Sequence, residues 1–176
     1  MPVWTAIENN RSQMVRALHA WWLAHRGPLG LPDRRALDPA ALRPLLPNLF
    51  IADLEHDPFR VRYRLVGTKA VRNTGFDFTG RYLDELMAKD PEVPWMEHYR
   101  TVYQSRAPLM GSVTVSASSG GTFTYEFGMF PLTQGGTEVS QVAAIEDYFD
   151  FDLQSAQFPR PTGSGSPGTG SSRSGR

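Results

Sequence analysis

Two short glycine-bearing connections constrain this chain most. Ser118-Ser119-Gly120-Gly121 and Gln134-Gly135-Gly136 separate three runs rich in Val, Thr, Tyr and Phe: Leu109 to Ala117, Thr122 to Leu132 and Glu138 to Phe149. Glycine supplies the positive φ angles that tight hairpin turns require. A parallel crossover needs about a dozen residues or more, so consecutive strands here must pair antiparallel. Upstream, Asn48 to Glu55 and Arg60 to Gly67 flank the turn His56-Asp57-Pro58-Phe59 and read as a further hairpin. The first of these strands has Leu49 and Ile51 on one face and Phe50, Ala52 and Leu54 on the other, which predicts burial on both sides and a central place. The second alternates Val61, Tyr63, Leu65 with Arg60, Arg62, Arg64, which predicts one apolar face and one solvated face ion-paired to Asp53 and Glu55.

Between Gly67 and Pro108 no strand pattern occurs, and Gly75, Gly80, Pro91 and Pro94 divide the segment into short helical pieces. The longest starts at Pro91 or Glu92 and ends at Ser105, with Trp95, Tyr99, Val102 and Tyr103 on the side that should face the sheet. A short helical stretch is also expected from Asp38 to Pro44. From Glu8 to His25 the residues Met14, Val15, Leu18, Trp21 and Trp22 recur at helical spacing, with Asn9 or Asn10 as the expected cap and Gly27-Pro28 as the stop. Such a stripe either covers the open face of a sheet or pairs with the same helix of a second copy. The fold class predicted is α+β: a five-stranded antiparallel sheet with short helices on one face, preceded by an N-terminal amphipathic helix.

The length of 176 residues suits one domain plus ends. Residues 1–35 read as N-terminal helix and linker, 36–154 as the domain, and 155–176 as a disordered Gly/Ser/Pro/Arg tail whose composition offers nothing to bury. The absence of Cys excludes disulfides, thiolate catalysis and zinc-thiolate sites. A formal net charge of zero gives no global attraction to nucleic acid, and the Arg60, Arg62, Arg64 row points away from Tyr63, so charge and stacking groups share no surface. Neither a signal peptide nor about 18 consecutive apolar residues occurs, so no membrane insertion is expected and the cytoplasm is the expected location.

Beyond these patterns, Leu42-Arg43-Pro44-Leu45-Leu46-Pro47-Asn48-Leu49-Phe50, Arg62-Tyr63-Arg64-Leu65-Val66-Gly67-Thr68, Thr79-Gly80-Arg81-Tyr82-Leu83-Asp84-Glu85-Leu86 and the earlier Ala20-Trp21-Trp22 resemble a group of small, often stand-alone PAS-like proteins of alphaproteobacterial type. The resemblance spans roughly residues 15 to 150. It implies a PAS-type sensory or interaction module without catalytic residues. Its partners would be another protein, a second copy held through the N-terminal helix, or a small apolar ligand. In that fold the space between sheet and helices either holds a ligand or is filled by side chains. If a ligand binds, Tyr63, Trp95, Tyr99, Tyr103, Tyr125 and Phe127 are the expected lining residues. No cofactor is predicted. Haem is the alternative, because His98 falls about where the resemblance implies a proximal ligand. Flavin-cysteinyl adduct chemistry is excluded, since no Cys is present.

An enzyme is the other reading, a small α+β fold acting through a pocket between sheet and helices on an unspecified reaction. His19, His25, His56 and His98 are scattered, Asp84 and Glu85 are adjacent and point apart on a helix, and no nucleotide-loop or zinc motif occurs. An enzyme would therefore require two polar groups converging in the pocket, one with a perturbed pKa.

Overall fold

The computed structural model describes residues 1–87, 93–116 and 122–149. The turn expected at 118–121, the helix start expected at 91 or 92 and the tail expected over 155–176 lie outside the described residues.

The strands are β1 (Val3–Trp4), β2 (Leu49–His56), β3 (Phe59–Val66), β4 (Leu109–Ser116), β5 (Thr122–Leu132) and β6 (Gln141–Asp147). They form a single sheet in the order β1-β4-β5-β6-β2-β3, and every neighbouring pair is antiparallel. The five expected strands are present, and the sixth is an addition. β1 is two residues long and pairs Val3 with Gly111 and Trp4 with Met110, too short to show any periodicity in sequence. β2 lies between β6 and β3, and its first four residues are all buried, as its apolar faces predict.

β3 departs from strict alternation. The register opposes Ile51 to Leu65 but Ala52 to Tyr63, so Arg64 is the extra residue of a β-bulge. Past that point inside and outside exchange: Leu65, expected inside, is 38% exposed, while Val66 is half-buried. β6 begins at Gln141 rather than Glu138. The residues after β5 are held instead by the segment expected to be a linker. Thr133 N donates to the Pro32 carbonyl at 3.0 Å and Arg34 N to the Thr133 carbonyl at 2.8 Å, with Leu31 buried beneath. The stretch 38–44 forms hydrogen-bonded turns rather than a helix, and they bury Leu42.

The N-terminal helix α1 (Gln13–Ala24) starts later than predicted and is capped by Ser12, whose Oγ accepts from Val15 N at 3.1 Å. It buries Val15, Leu18 and Trp22. Trp22 Nε1 donates to the Pro131 carbonyl at 2.8 Å, and the His19 ring lies 5.9 Å from that of Phe130. The apolar stripe therefore covers a sheet face. On the opposite face lie α2 (Thr68–Thr74), α3 (Leu83–Leu86) and α4 (Trp95–Ser105). With cover on both sides, β5 is buried without interruption from Tyr125 to Leu132. Among the described residues no helix is long and apolar enough to cross a membrane.

Candidate ligand cavity

The core is incompletely filled on the side of α2, α3 and α4. A cavity of about 690 Å³ lies between these helices and β2, β3, β5 and β6, within the roughly 300–1,000 Å³ usual for small-molecule sites. Its floor is the inward face of β5, where alternation brings Phe123, Tyr125, Phe127 and Met129 to one side. Phe50 and Tyr63 come from β2 and β3, and Phe78 fits between them, its ring 4.8 Å from Tyr63 and edge-on. Trp95 and Tyr99 descend from α4, Trp95 meeting Phe127 edge-on at 5.0 Å. Thr74, Phe76 and Glu85 form an exposed rim.

Local chemistry holds this roof in place. Gly80 has φ 84°, a left-handed conformation open to glycine at no steric cost, and a side chain there would meet nothing within 4 Å. Its role is therefore conformational. Gly80 N donates to the Tyr63 carbonyl and Tyr63 N to the Arg81 carbonyl, so the chain pairs briefly with the edge of β3 before α3 begins. The basic row of β3 completes the attachment. Arg60 binds Asp84 and Glu85 and lies 3.6 Å over the Tyr82 ring, while the Tyr82 hydroxyl donates to Glu55 at 2.8 Å. The outer face is ion-paired, but mostly to α3 rather than to Asp53 and Glu55 as expected: Arg64 reaches Asp53 at 3.5 Å, and Glu55 accepts from Tyr82.

One wall is polar. Glu146 on β6 faces the cavity and accepts from the Tyr148 hydroxyl through Oε2. It retains some accessible area because it borders the cavity, yet protein surrounds it, and burial pushes its pKa up to about 7. Tyr63, Tyr99, Tyr125 and Tyr148 gather about it. Burial raises all four hydroxyls above their ordinary value, helped by the neighbouring Glu146 carboxylate, so they remain protonated donors. The Tyr63 and Tyr99 hydroxyls approach one another. Asn73 of α2 approaches Tyr148, but its Nδ2 is buried without a hydrogen bond of good geometry.

Of the residues singled out from sequence, Tyr63, Trp95, Tyr99, Tyr125 and Phe127 line the cavity. Tyr103, one turn beyond Tyr99, is directed to the end of the β2–β3 hairpin, stacking on His56 at 4.9 Å and meeting Phe59 at 5.7 Å. His98 is buried, but it packs against Phe127 and its Nδ1 donates to the Pro94 carbonyl at 2.6 Å. It is not among the lining residues, so the residues present do not fit a haem ligated by His98. Among the described residues no group of three or more His, Cys, Asp or Glu is placed to hold a metal. Sequence reasoning missed Glu146, Tyr148 and Asn73. The available signal was Glu146-Asp147, two charges at the end of an otherwise apolar strand.

A sheet with short helices over an aromatic cavity is an α+β domain with room for a small molecule. The profile of the family described as PAS domain matches residues 10–145, and the chain belongs to that family of sensory modules. No curated protein matches the sequence. Among solved structures, the chain is similar to an RNA-binding light-oxygen-voltage receptor, at 20% identity and TM-score 0.45, covering 66% of this chain and 35% of that one. The chain thus spans about a third of that protein. It is also similar to a light-oxygen-voltage domain studied with a flavin analogue, at 19% identity and TM-score 0.45 over 61% of this chain and 80% of the other. A third likeness is to a cysteine-to-serine mutant of Vivid, at 14% identity and TM-score 0.45 over 74% and 97% of the two chains.

Proposed function

We propose that this PAS domain senses a small, mostly apolar ligand held in the cavity between the sheet and α2–α4, and passes on occupancy through protein contacts. The observation that supports this is the cavity itself: about 690 Å³ walled largely by aromatic side chains. A mostly apolar, aromatic-lined cavity of this size with a few polar groups is the kind of site that small ligands occupy. Output through α1, to a protein partner or a second copy, belongs to the same proposal and is supported by Leu23, 41% exposed on the helix.

Native mass spectrometry and absorbance of the purified protein test the ligand. A co-purifying small molecule is expected, and it should be lost in A144F, which places a ring into the cavity from β6. A protein that carries no molecule, and whose melting temperature no apolar compound raises, would refute the reading.

A second reading has one specific observation behind it. Glu146 and Tyr148 converge in the cavity, and a carboxyl raised to about 7 suits general acid–base chemistry near neutrality. Among the described lining residues it lacks a neighbouring free nucleophile: the Thr74 hydroxyl on the rim lies 3.0 Å from each of the Ala70 and Phe76 carbonyls. The enzyme reading requires turnover of a cavity ligand that E146Q abolishes while binding persists. Release of the co-purified molecule unchanged favours the sensor.

A further inference from the structure

The polar wall specifies what kind of ligand the cavity takes. Among the described lining residues the carboxylic acids are Glu146 and Glu85, and no Lys, Arg or His is present. Glu85 sits on the rim, where Arg60 at 3.4 Å and Arg81 at 3.3 Å engage it. Among the described residues Glu146 has no such cation. Its carboxylate receives a hydrogen bond from the Tyr148 hydroxyl and otherwise confronts aromatic surface. The Tyr125 and Tyr148 rings lie 4.9 Å apart beside it, and Tyr63 and Tyr99 line the same cavity. A buried carboxylate without a cation is destabilised, whereas a bound ammonium would both pair with it and lie against the electron-rich faces of the surrounding rings. An anionic ligand would meet the same carboxylate as repulsion.

Resting on the reading that the cavity binds a small ligand, we infer that it selects organic cations: an aromatic or aliphatic body carrying a protonated amine, seated with the ammonium between Glu146 and the rings of Tyr63, Tyr99, Tyr125 and Tyr148. The body fills the space bounded by Phe50, Phe78, Trp95 and Phe127.

Three probes of one shape test the inference: 2-naphthylmethylamine, 2-naphthylmethanol and 2-naphthoate, titrated into the full chain and followed by calorimetry and by Trp fluorescence. At about pH 8 the amine is expected to bind at least about tenfold more tightly than the alcohol, and the carboxylate at least about tenfold more weakly. E146Q should bring amine and alcohol to within about threefold of each other by removing the amine's advantage. The wild-type protein gives a second readout that does not depend on a variant folding. The titratable groups facing Glu146 are Tyr63 from β3, Tyr99 from α4, Tyr125 from β5 and Tyr148 after β6, with Glu85 on the rim, and these tyrosines stay protonated near neutrality. Below about 7 Glu146 takes up a proton and no longer attracts the cation. Amine affinity should therefore fall by up to about tenfold per pH unit below that point, while alcohol affinity stays flat. Equal binding of all three probes would leave the cavity reading standing and overturn the cation preference. If none binds, the alcohol included, the cavity reading fails and the inference with it.

Discussion

Glu146 is the residue at which packing and electrostatics conflict, and its cost to stability has a sign that can be derived. Burial raises its pKa in the folded protein from 4.5 to about 7, so the folded state binds a proton more tightly than the unfolded chain does. The stability of wild type is therefore greatest below about pH 4.5 as far as this group is concerned, and it is lost progressively as pH rises through about 7. The full shift corresponds to about 3 kcal/mol, and solvent reaching the cavity lowers that figure. Urea denaturation should show E146Q gaining about 1–3 kcal/mol over wild type at about pH 8 and little at about pH 5. A gain independent of pH would mean that Glu146 is not desolvated. Glu146 was hard to see in the sequence because a charged residue within an apolar strand normally faces solvent, and only the helices laid across β6 turn that position inward. The conspicuous motif residues were legible and are structural. A Cβ on Gly67 would lie 2.4 Å from the Pro47 carbonyl, so the Leu46-Pro47-Asn48 and Val66-Gly67-Thr68 motifs are matched surfaces of one contact.

At the scale of elements, α1 shows what periodicity reveals and what it leaves hidden. The stripe of Val15, Leu18 and Trp22 was readable because a helix repeats its inward side every three or four residues. Its start was not, because that is decided by strands more than a hundred residues away. Glu126 of β5, 2% exposed, accepts through Oε2 from Arg11 N at 2.7 Å and Ser12 N at 2.8 Å. Asp147, its register partner on β6, accepts from Ser12 Oγ at 2.7 Å. Two carboxylates on adjacent strands thus fix the chain at the electropositive end of the helix, which displaces the cap from Asn9 or Asn10 to Ser12. Removing the acceptor should be costly. E126A leaves Arg11 N without its acceptor and Ser12 N with Asn10 Oδ1 alone, at 3.1 Å, and is expected to destabilise by about 1–3 kcal/mol in urea denaturation. E126Q keeps a carbonyl for both donors and forfeits the ion pair to Arg11, whose side chain is 77% exposed, so its loss should stay within about 1 kcal/mol. Equal losses in the two variants would show that charge, rather than the acceptor, holds the helix start.

For the molecule as a whole, the layered arrangement makes α1 part of the core, and this changes how self-association has to be tested. Strand pairing was legible from two short connections and from alternation. That the sheet would be covered on both faces was not, because an amphipathic helix carries no mark of which surface it will meet. Deleting residues 1–27 removes Val15, Leu18 and Trp22 and uncovers the side of β5 that carries Phe130, which is fully buried. At about 1.5–3 kcal/mol for each large apolar side chain, the loss is about 5–9 kcal/mol. That is comparable to the roughly 5–15 kcal/mol that holds a whole domain folded. The truncated chain is therefore expected to lose its cooperative unfolding transition, followed by circular dichroism, and to aggregate rather than form a smaller oligomer. Pairing is better tested from outside. Leu23 is 41% exposed, so L23E adds a charge without disturbing the sheet-facing stripe. Under the proposed output through α1, L23E should lower the mass measured by light scattering while the melting temperature stays within a few degrees of wild type. Wild type and L23E both monomeric at the highest concentration tested would exclude a second copy as the partner and leave a different protein to receive the signal.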